Sequence, residues 1–235
     1  MRAERVSEHI WSLKSWLLVS VRVWVVVESD GVTLVDAGMP FMARGILRFI
    51  DSLNAGPLKR ILLTHGHSDH TGAVAAIRKA RPVPVYAHRI ELPYMEGDVP
   101  YPRRSKAAAS VAKGVAQPLG EGPDGSLTPA GGLTPYHTPG HSPGHVVYYH
   151  EQDQVLLAGD LFTSKKGRLH HPMAIFTADM AEAVRSSAIV GKLKPKRLEV
   201  CHSAPVFDPA EHLAEYQRST AAAFRIPPSA LTLQM

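Results

Sequence analysis

The sequence predicts a mixed fold of strands and helices, built as two β-rich halves packed face to face around one seam. Three observations predict it. A unit of hairpin, aspartate, helix, proline, Lys-Arg pair and apolar strand ending in histidine occurs twice, first with Asp36, Pro57, Lys59-Arg60 and His65, then with Asp160, Pro195, Lys196-Arg197 and His202. The chemically interesting histidines and aspartates fall just past the ends of the apolar strands. At 235 residues, 45% hydrophobic and 20% charged, the chain can bury a sizeable core, and residues 1–235 read as one domain.

In chain order, Val6 to Trp11 and Trp16 to Val27 have the β-branched and aromatic content of strands. Val32 to Val35 returns from the Ser29-Asp30-Gly31 turn as a hairpin partner and ends at Asp36-Ala37-Gly38. The tryptophans here are expected in the core. Ile46, Leu47, Phe49, Ile50 and Leu53 recur at helical spacing, so Phe41 to Leu53 is a helix stopped by Asn54 to Pro57. Arg60 to Thr64 reads as a buried strand, Gly72 to Lys79 as a short helix and Val83 to Ala87 as a strand. Residues 93–132, with an alanine-rich helix from Ser105 to Ala116, read as an excursion over one side of the fold near the active site. Leu133 to Thr138 is a strand ending at Pro139-Gly140-His141. Val146 to His150 and Val155 to Ala158 form a hairpin ending at Gly159-Asp160. Ala178 to Leu193 is helical, Lys196 to Cys201 is the last strand, and residues 208–224 are a terminal helix with Asp208 as N-cap and Pro209 in its first turn.

The densest chemistry lies in Ile61 to Gly72, ILLTHGHSDHTG, where an apolar strand runs into a helix. His65 and His67 are two apart, so in extended backbone both imidazoles leave on the same side and can share a cation. Asp69 and His70 follow where the chain turns, displaced enough to reach a second cation. Neutral imidazole with carboxylate suits zinc, manganese or iron better than calcium or magnesium. His141, Asp160 and His202 share the address of His65, just beyond an apolar strand, and are candidate ligands for that reason.

Composition narrows the classes. The formal charge is +5 and the pI about 9.4, yet the basic clusters are short and not interleaved with aromatics, so no nucleic-acid partner is expected. Cys201 is the only cysteine, which excludes an intrachain disulfide. The longest apolar stretch is too short to span a bilayer and contains Arg22. With no signal pattern at the start, no membrane partner and a cytoplasmic location are expected.

THGHSDH, the later TPGHSPGH, the AGD that ends a hairpin and the final strand followed by histidine resemble the metallo-β-lactamase superfamily of metal-dependent hydrolases, over nearly the whole chain. The resemblance implies an α+β fold, an αββα sandwich of two mixed sheets flanked by helices with a metal site at one edge. It implies His65, His67 and His141 as ligands of one metal, Asp69, His70 and His202 as ligands of the second, and Asp160 bridging them. Two divalent ions are expected, zinc first, with iron or manganese as alternatives. Asp36 and His145 would support ligands without taking part in chemistry, whereas His137, His170 and His171 match no ligand role. Cys201 stands where the family often has glycine and is read as a small buried strand residue.

The implied reaction is attack on a carbonyl by hydroxide generated between two metal ions, with Asp69 orienting it or taking its proton. The expected substrate is a small ester-like molecule: a lactone, thioester or β-lactam. The thioesterase branch acting on glutathione conjugates carries a longer C-terminal region than the 33 residues after His202. Alternatives are a mononuclear iron persulfide dioxygenase and an inactive metal-binding protein. Specificity is assigned to residues 93–132 and 161–176, with Tyr94, Tyr101, Arg103, Arg104, Phe162, His170 and His171 as wall candidates.

Overall fold

The computed structural model describes residues 1–17 and 19–231. Its first sheet keeps seven strands in sequence order: β1 (Arg2–Arg5), β2 (Ile10–Leu17), β3 (Val19–Glu28), β4 (Gly31–Val35), β5 (Leu58–Leu62), β6 (Val85–Ala87) and β7 (Ala116–Pro118). The second has the order β14-β13-β10-β9-β8, formed by β8 (Thr134–His137), β9 (Val146–His150), β10 (Val155–Leu157), β13 (Arg197–Glu199) and β14 (Val206–Phe207). β11 (Thr163–Lys165) and β12 (Arg168–His170) pair separately. β3 is buried without interruption from Ser20 to Val26, as a strand covered on both faces must be.

The repeat is real in topology. β3 and β4 are antiparallel, and the chain crosses through α1 (Ala43–Leu53) to β5, which lies parallel to β4. β9 and β10 are likewise antiparallel, and α5 (Met180–Ser186) with α6 (Ala188–Leu193) leads to β13, parallel to β10. Both crossovers therefore end a parallel strand at the same edge of the molecule.

Helices cover the outer faces. α1 buries Ile46 and Ile50 in the larger core, as its spacing predicted, each contributing about 1.5–3 kcal/mol. α2 (Ser68–Thr71) is a single turn, and α3 (Val74–Ala80) buries Val74 and Ile77 in the same core. α4 (Leu92–Met95) precedes the excursion. Val190 of α6 and Tyr216 of α7 (Leu213–Ala223) enter a second core with Val147, Leu156 and Leu198. The two sheets are tied across the seam by polar bonds: Trp24 Nε1 donates to Glu199 at 3.2 Å, and the Tyr148 hydroxyl donates to the Leu63 carbonyl at 2.8 Å. At the far end of β9, His9 bonds Asp153 at 2.8 Å and His150 bonds Glu28 at 2.9 Å, locking the start of β2 to the second hairpin. Among the described residues no helix is long and apolar enough to cross a membrane.

Several local expectations are corrected. No helix forms from Ser105 to Ala116, although alanine favours one. The amides of Ser110 and Val111 bond the Met95 carbonyl at 2.8 and 3.1 Å and the Ser110 hydroxyl bonds the Gly66 carbonyl at 2.6 Å, so tertiary partners replace a helix too short to persist alone. The excursion is also less separate than expected, since β7 joins the first sheet. The first two strands divide at a different place: β2 spans Ile10–Leu17, and Trp16 is 73% exposed while Trp24 fills the core. The helix from Ala178 to Leu193 starts at Met180 behind the Asp179 cap and breaks at Ser187, whose hydroxyl turns back to Val184. The terminal helix is preceded by a 3₁₀ turn at Pro209–His212, and Asp208 sits at φ 45° with no side-chain capping bond. The strand expected to be last ends at Glu199, and β14 follows it.

Candidate metal centre

Each candidate ligand leaves the backbone where a strand has ended and the chain can turn. β5 stops at Leu62, and Thr64 to His67 pass its edge before α2 opens. His67 caps that helix in extended conformation, which keeps its ring beside that of His65 while Asp69 and His70 are carried round the first turn. His141 follows β8, Asp160 follows β10 and His202 follows β13. Glycine is required at Gly66 and Gly159. A side chain at Gly66 would run into the Tyr101 hydroxyl and lie 2.5 Å from Met95 Cβ, and Gly159 has φ +51° with His145 Nε2 only 2.9 Å from where a Cβ would sit.

The seven residues singled out from sequence converge in two adjoining groups. His65 Nε2 and His141 Nε2 lie 3.0 and 3.1 Å from His67 Nδ1. Three nitrogens on one tetrahedral metal, with bonds of about 2.0–2.1 Å, would stand roughly 3.3 Å apart. In the second group His202 Nε2 is 3.3 Å from Asp69 Oδ2, and His70 Nε2 is 3.8 Å from the same oxygen. Asp160 stands between the groups: Oδ2 is 3.5 Å from His141 Nε2 and 3.1 Å from His202 Nε2, and Oδ1 is 3.5 Å from His70 Nε2.

These residues fit a metal on two grounds. His70 Nε2 and Asp160 Oδ1 are buried without a hydrogen-bond partner, which ordinarily costs about 1–3 kcal/mol for each group. The second ground is that the other ring nitrogens of His65, His70, His141 and His202 are engaged elsewhere, leaving the converging ones as lone-pair donors. His65 Nδ1 faces the Thr64 hydroxyl at 3.1 Å, His70 Nδ1 faces Asp36 at 2.7 Å, His141 Nδ1 faces the Thr177 hydroxyl at 3.3 Å, and His202 Nδ1 faces the Ser20 carbonyl at 2.8 Å.

Asp36 stands where the supporting role expected of it would place it, against His70 and Thr64. Besides His70 it accepts the Thr64 amide and hydroxyl, each at 2.8 Å, which holds its backbone at φ 59° against the usual cost of the left-handed region. Asp36→Asn is expected to weaken metal binding about 10- to 100-fold. Competition with a chromogenic chelator reads the effect, and an unchanged affinity would remove Asp36 from this role. His145 also supports: the Asp160 amide donates to its Nε2 at 3.2 Å while Nδ1 meets Thr138 at 3.0 Å. Cys201 is fully buried, as expected, but it lies beyond the end of β13, and its sulfur is within 4.8 Å of ligand atoms from His70, Asp160 and His202.

Electrostatics divides the two groups. Burial pushes His65 and His141 well below the ordinary histidine range and His67 down to about 4, so these rings are neutral at physiological pH. Burial opposes ionisation of Asp69 and Asp160 as well. The charges of His70 and His202 outweigh it, bringing Asp69 down to about 2 and Asp160 well below the carboxylate range. In return the acidic neighbours raise His70 and His202 against their own desolvation. The second group is thus a negative pocket that demands positive charge, which a proton or a metal cation can supply.

Sequence reasoning missed Glu91. Fully buried, it accepts the Gly66 and Gly144 amides at 2.9 and 2.7 Å and the Tyr101 and Ser142 hydroxyls at 2.7 and 2.9 Å. One carboxylate therefore clamps both histidine loops. Burial raises its pKa although all four donors favour the charged form. Nothing local marks a single glutamate before a short helix as special. Arg22, noted only as a break in an apolar run, is buried and turns Nη1 to the carbonyls of Val200, Cys201 and Ser203, which fixes the loop carrying His202.

A cavity of about 570 Å³ opens onto His67, Asp69 and Asp160. Tyr101 and Arg104, two of the wall candidates, line it, and Met173 and Phe176 bear out the segment 161–176 as a second wall. Phe162 is instead buried in the second core, His171 packs on Phe224, and Tyr94 stacks on Tyr101. Arg103 joins the two walls through the Ala174 and Thr177 carbonyls, both at 2.9 Å.

Residues 17–203 match the family model for the metallo-beta-lactamase superfamily. The chain is 36% identical over 210 residues to a probable metallo-hydrolase, YybB, of Bacillus subtilis (strain 168), covering 88% of this chain and 93% of that one. It is 32% identical over 153 residues to a hydroxyacylglutathione hydrolase of Marinomonas sp. (strain MWYL1), covering 63% of this chain but only 49% of that relative. Among solved structures, TTHA1623 in a di-iron-bound form superposes with a TM-score of 0.65 at 28% identity, covering 85% of this chain and 96% of that one. Motif, fold and relatives agree, and the chain belongs to the metallo-beta-lactamase superfamily.

Proposed function

We propose that this protein is a dinuclear metal-dependent hydrolase of small ester-like substrates: a thioester, lactone or β-lactam. The observation that carries the reading is the position of Asp160, whose two oxygens reach toward the three-histidine group on one side and toward His70 and His202 on the other. His65, His67 and His141 would hold one ion, Asp69, His70 and His202 the other, and Asp160 both. Bound divalent ions supply a Lewis acid and lower the pKa of water toward neutrality. Zinc suits the nitrogen-rich first group, and the di-iron form of TTHA1623 supports iron as the alternative.

The chain's own residues do the rest. Asp69 is the ligand candidate most open to the cavity, its side chain 29% exposed, and its depressed pKa keeps the carboxylate ionised, so that it can accept a hydrogen bond from the attacking water and orient it. Val19, Val21, Met173 and Phe176 give the cavity apolar walls against which an acyl group can pack. Water then adds to the carbonyl carbon, the bond to the leaving oxygen, sulfur or nitrogen breaks, and the products are a carboxylate and the protonated leaving group. The relatives named hydroxyacylglutathione hydrolase lend weight to thioesters among these substrates.

The test is metal per chain by elemental analysis, paired with turnover on an ester, thioester, lactone and β-lactam panel. Two ions per chain and turnover that falls about 10³-fold or more in Asp69→Ala are expected. One iron per chain with oxygen uptake on a persulfide would replace the hydrolytic reading. Tight metal binding with no turnover on any substrate would leave a binding protein.

A further inference from the structure

We propose that the substrate is an amphiphile: an apolar acyl ester or thioester bearing, away from the scissile carbonyl, a negatively charged group that Arg104 and Lys106 hold. This deepens the hydrolytic reading and rests on it.

The cavity that opens onto Asp69 and Asp160 is not uniformly apolar. Its walls are Val19 and Val21 of β3, Met39, Met173 and Phe176, with Tyr101 beside His67. Arg104 and Lys106, from the excursion, face the same space. Among the described residues neither side chain forms an ion pair or hydrogen bond, whereas Arg89 is paired with Glu121 and Lys113 with Asp98, each at 2.6 Å. With Asp69 and Asp160 given to metal, two cations without an ion-pair partner on a lining that is largely apolar elsewhere form an anion site whose counter-ion the ligand must bring.

Arg104 is also held toward the site. Its guanidinium lies over the Tyr101 ring, 5.7 Å from the centroid. The Tyr101 hydroxyl is fixed by buried Glu91 at 2.7 Å, and its ring packs 4.9 Å from that of His67. A chain of contacts thus runs from the three-histidine group to the exposed guanidinium, whose fork suits a carboxylate or phosphate, and Lys106 adds a point charge on the same lining. Asp69 and Asp160, on the same lining, are the groups given to metal, so the acidic and the basic side chains of the pocket have separate tasks.

The test uses the metal-loaded enzyme and a matched pair of probes: p-nitrophenyl hexanoate and the p-nitrophenyl monoester of adipic acid, alike except that a carboxylate replaces the terminal methyl. The expected result is a KM about 10-fold lower for the charged ester at low salt, an advantage that shrinks toward unity in the double variant R104A/K106A and in about 0.5 M NaCl. In R104E/K106E the preference is expected to reverse toward the p-nitrophenyl ester of 6-aminohexanoic acid. Calorimetric binding of adipate against hexanoate provides a second readout, with the same advantage in the wild type and the same loss in R104A/K106A. Equal KM values and equal affinities in the wild type, or a preference that survives the double replacement, would overturn the assignment. Should neither ester turn over, the thioester, lactone and β-lactam panel decides the hydrolytic reading, and the calorimetric comparison separately decides whether the two cations select an anion.

Discussion

Replacing Asp160 with alanine is expected to lower kcat/KM by about 10³-fold or more and to reduce bound metal below two ions per chain. No other candidate ligand reaches into both groups. Its Oδ2 approaches His202 at 3.1 Å and His141 at 3.5 Å, and its Oδ1, buried and unpaired, faces His70 at 3.5 Å. Removing the carboxylate leaves the second group with Asp69 as its one remaining carboxylate, and that side chain is partly open to solvent. Asp160→Asn separates charge from shape. It keeps the volume and the backbone bond to His145 but halves the acceptor capacity, so metal loss in both variants assigns the effect to the missing negative charge. Metal analysis with circular dichroism reads the outcome, and full occupancy with full turnover in Asp160→Ala would refute the shared carboxylate.

The second large effect is expected at Glu91, on stability as well as on the site. Glu91→Ala leaves two buried amides, those of Gly66 and Gly144, without an acceptor. At about 1–3 kcal/mol for each unsatisfied group, plus the space the side chain vacates, the loss should be about 3–5 kcal/mol. In a chain of this size that lowers Tm by about 10 °C. The hydroxyls of Tyr101 and Ser142 can rotate to other partners and add less. Metal affinity should fall as well, because the clamp sets His65-Gly66-His67 against His141-Ser142. Glu91→Gln keeps an acceptor but turns an NH₂ toward donors, so an intermediate loss is expected. Urea denaturation of the metal-free protein measures the structural part alone. An unchanged midpoint in Glu91→Ala would show that the clamp carries no stability.

Much of this site was legible because metal chemistry writes itself locally. His65, His67, Asp69 and His70 fall within six consecutive positions, and a strand-to-helix junction aims residues at such spacing without help from the rest of the chain. The alanine-rich segment shows the opposite case. Its local preference is helical, but two amides bonded to Met95 and a hydroxyl bonded to Gly66 override a preference worth a few tenths of a kcal/mol per residue. Trp16 was misplaced for a related reason, since a valine- and tryptophan-rich run reads as core whether or not the hairpin end lies over other structure.

By itself the sequence determined the two-half architecture, the strand ends at which His65, His141, Asp160 and His202 would stand, and the residue types that suit a metal. Those features depend on periodicity and on side-chain chemistry, both of which are local. Only the tertiary structure decided that Glu91 joins the two histidine loops, that Arg22 fixes the loop of His202, and that Arg104 shares a cavity with Asp69. The physical reason is that a buried charge is tolerated only where distant segments supply its partners, and no stretch of sequence records which donors will surround it.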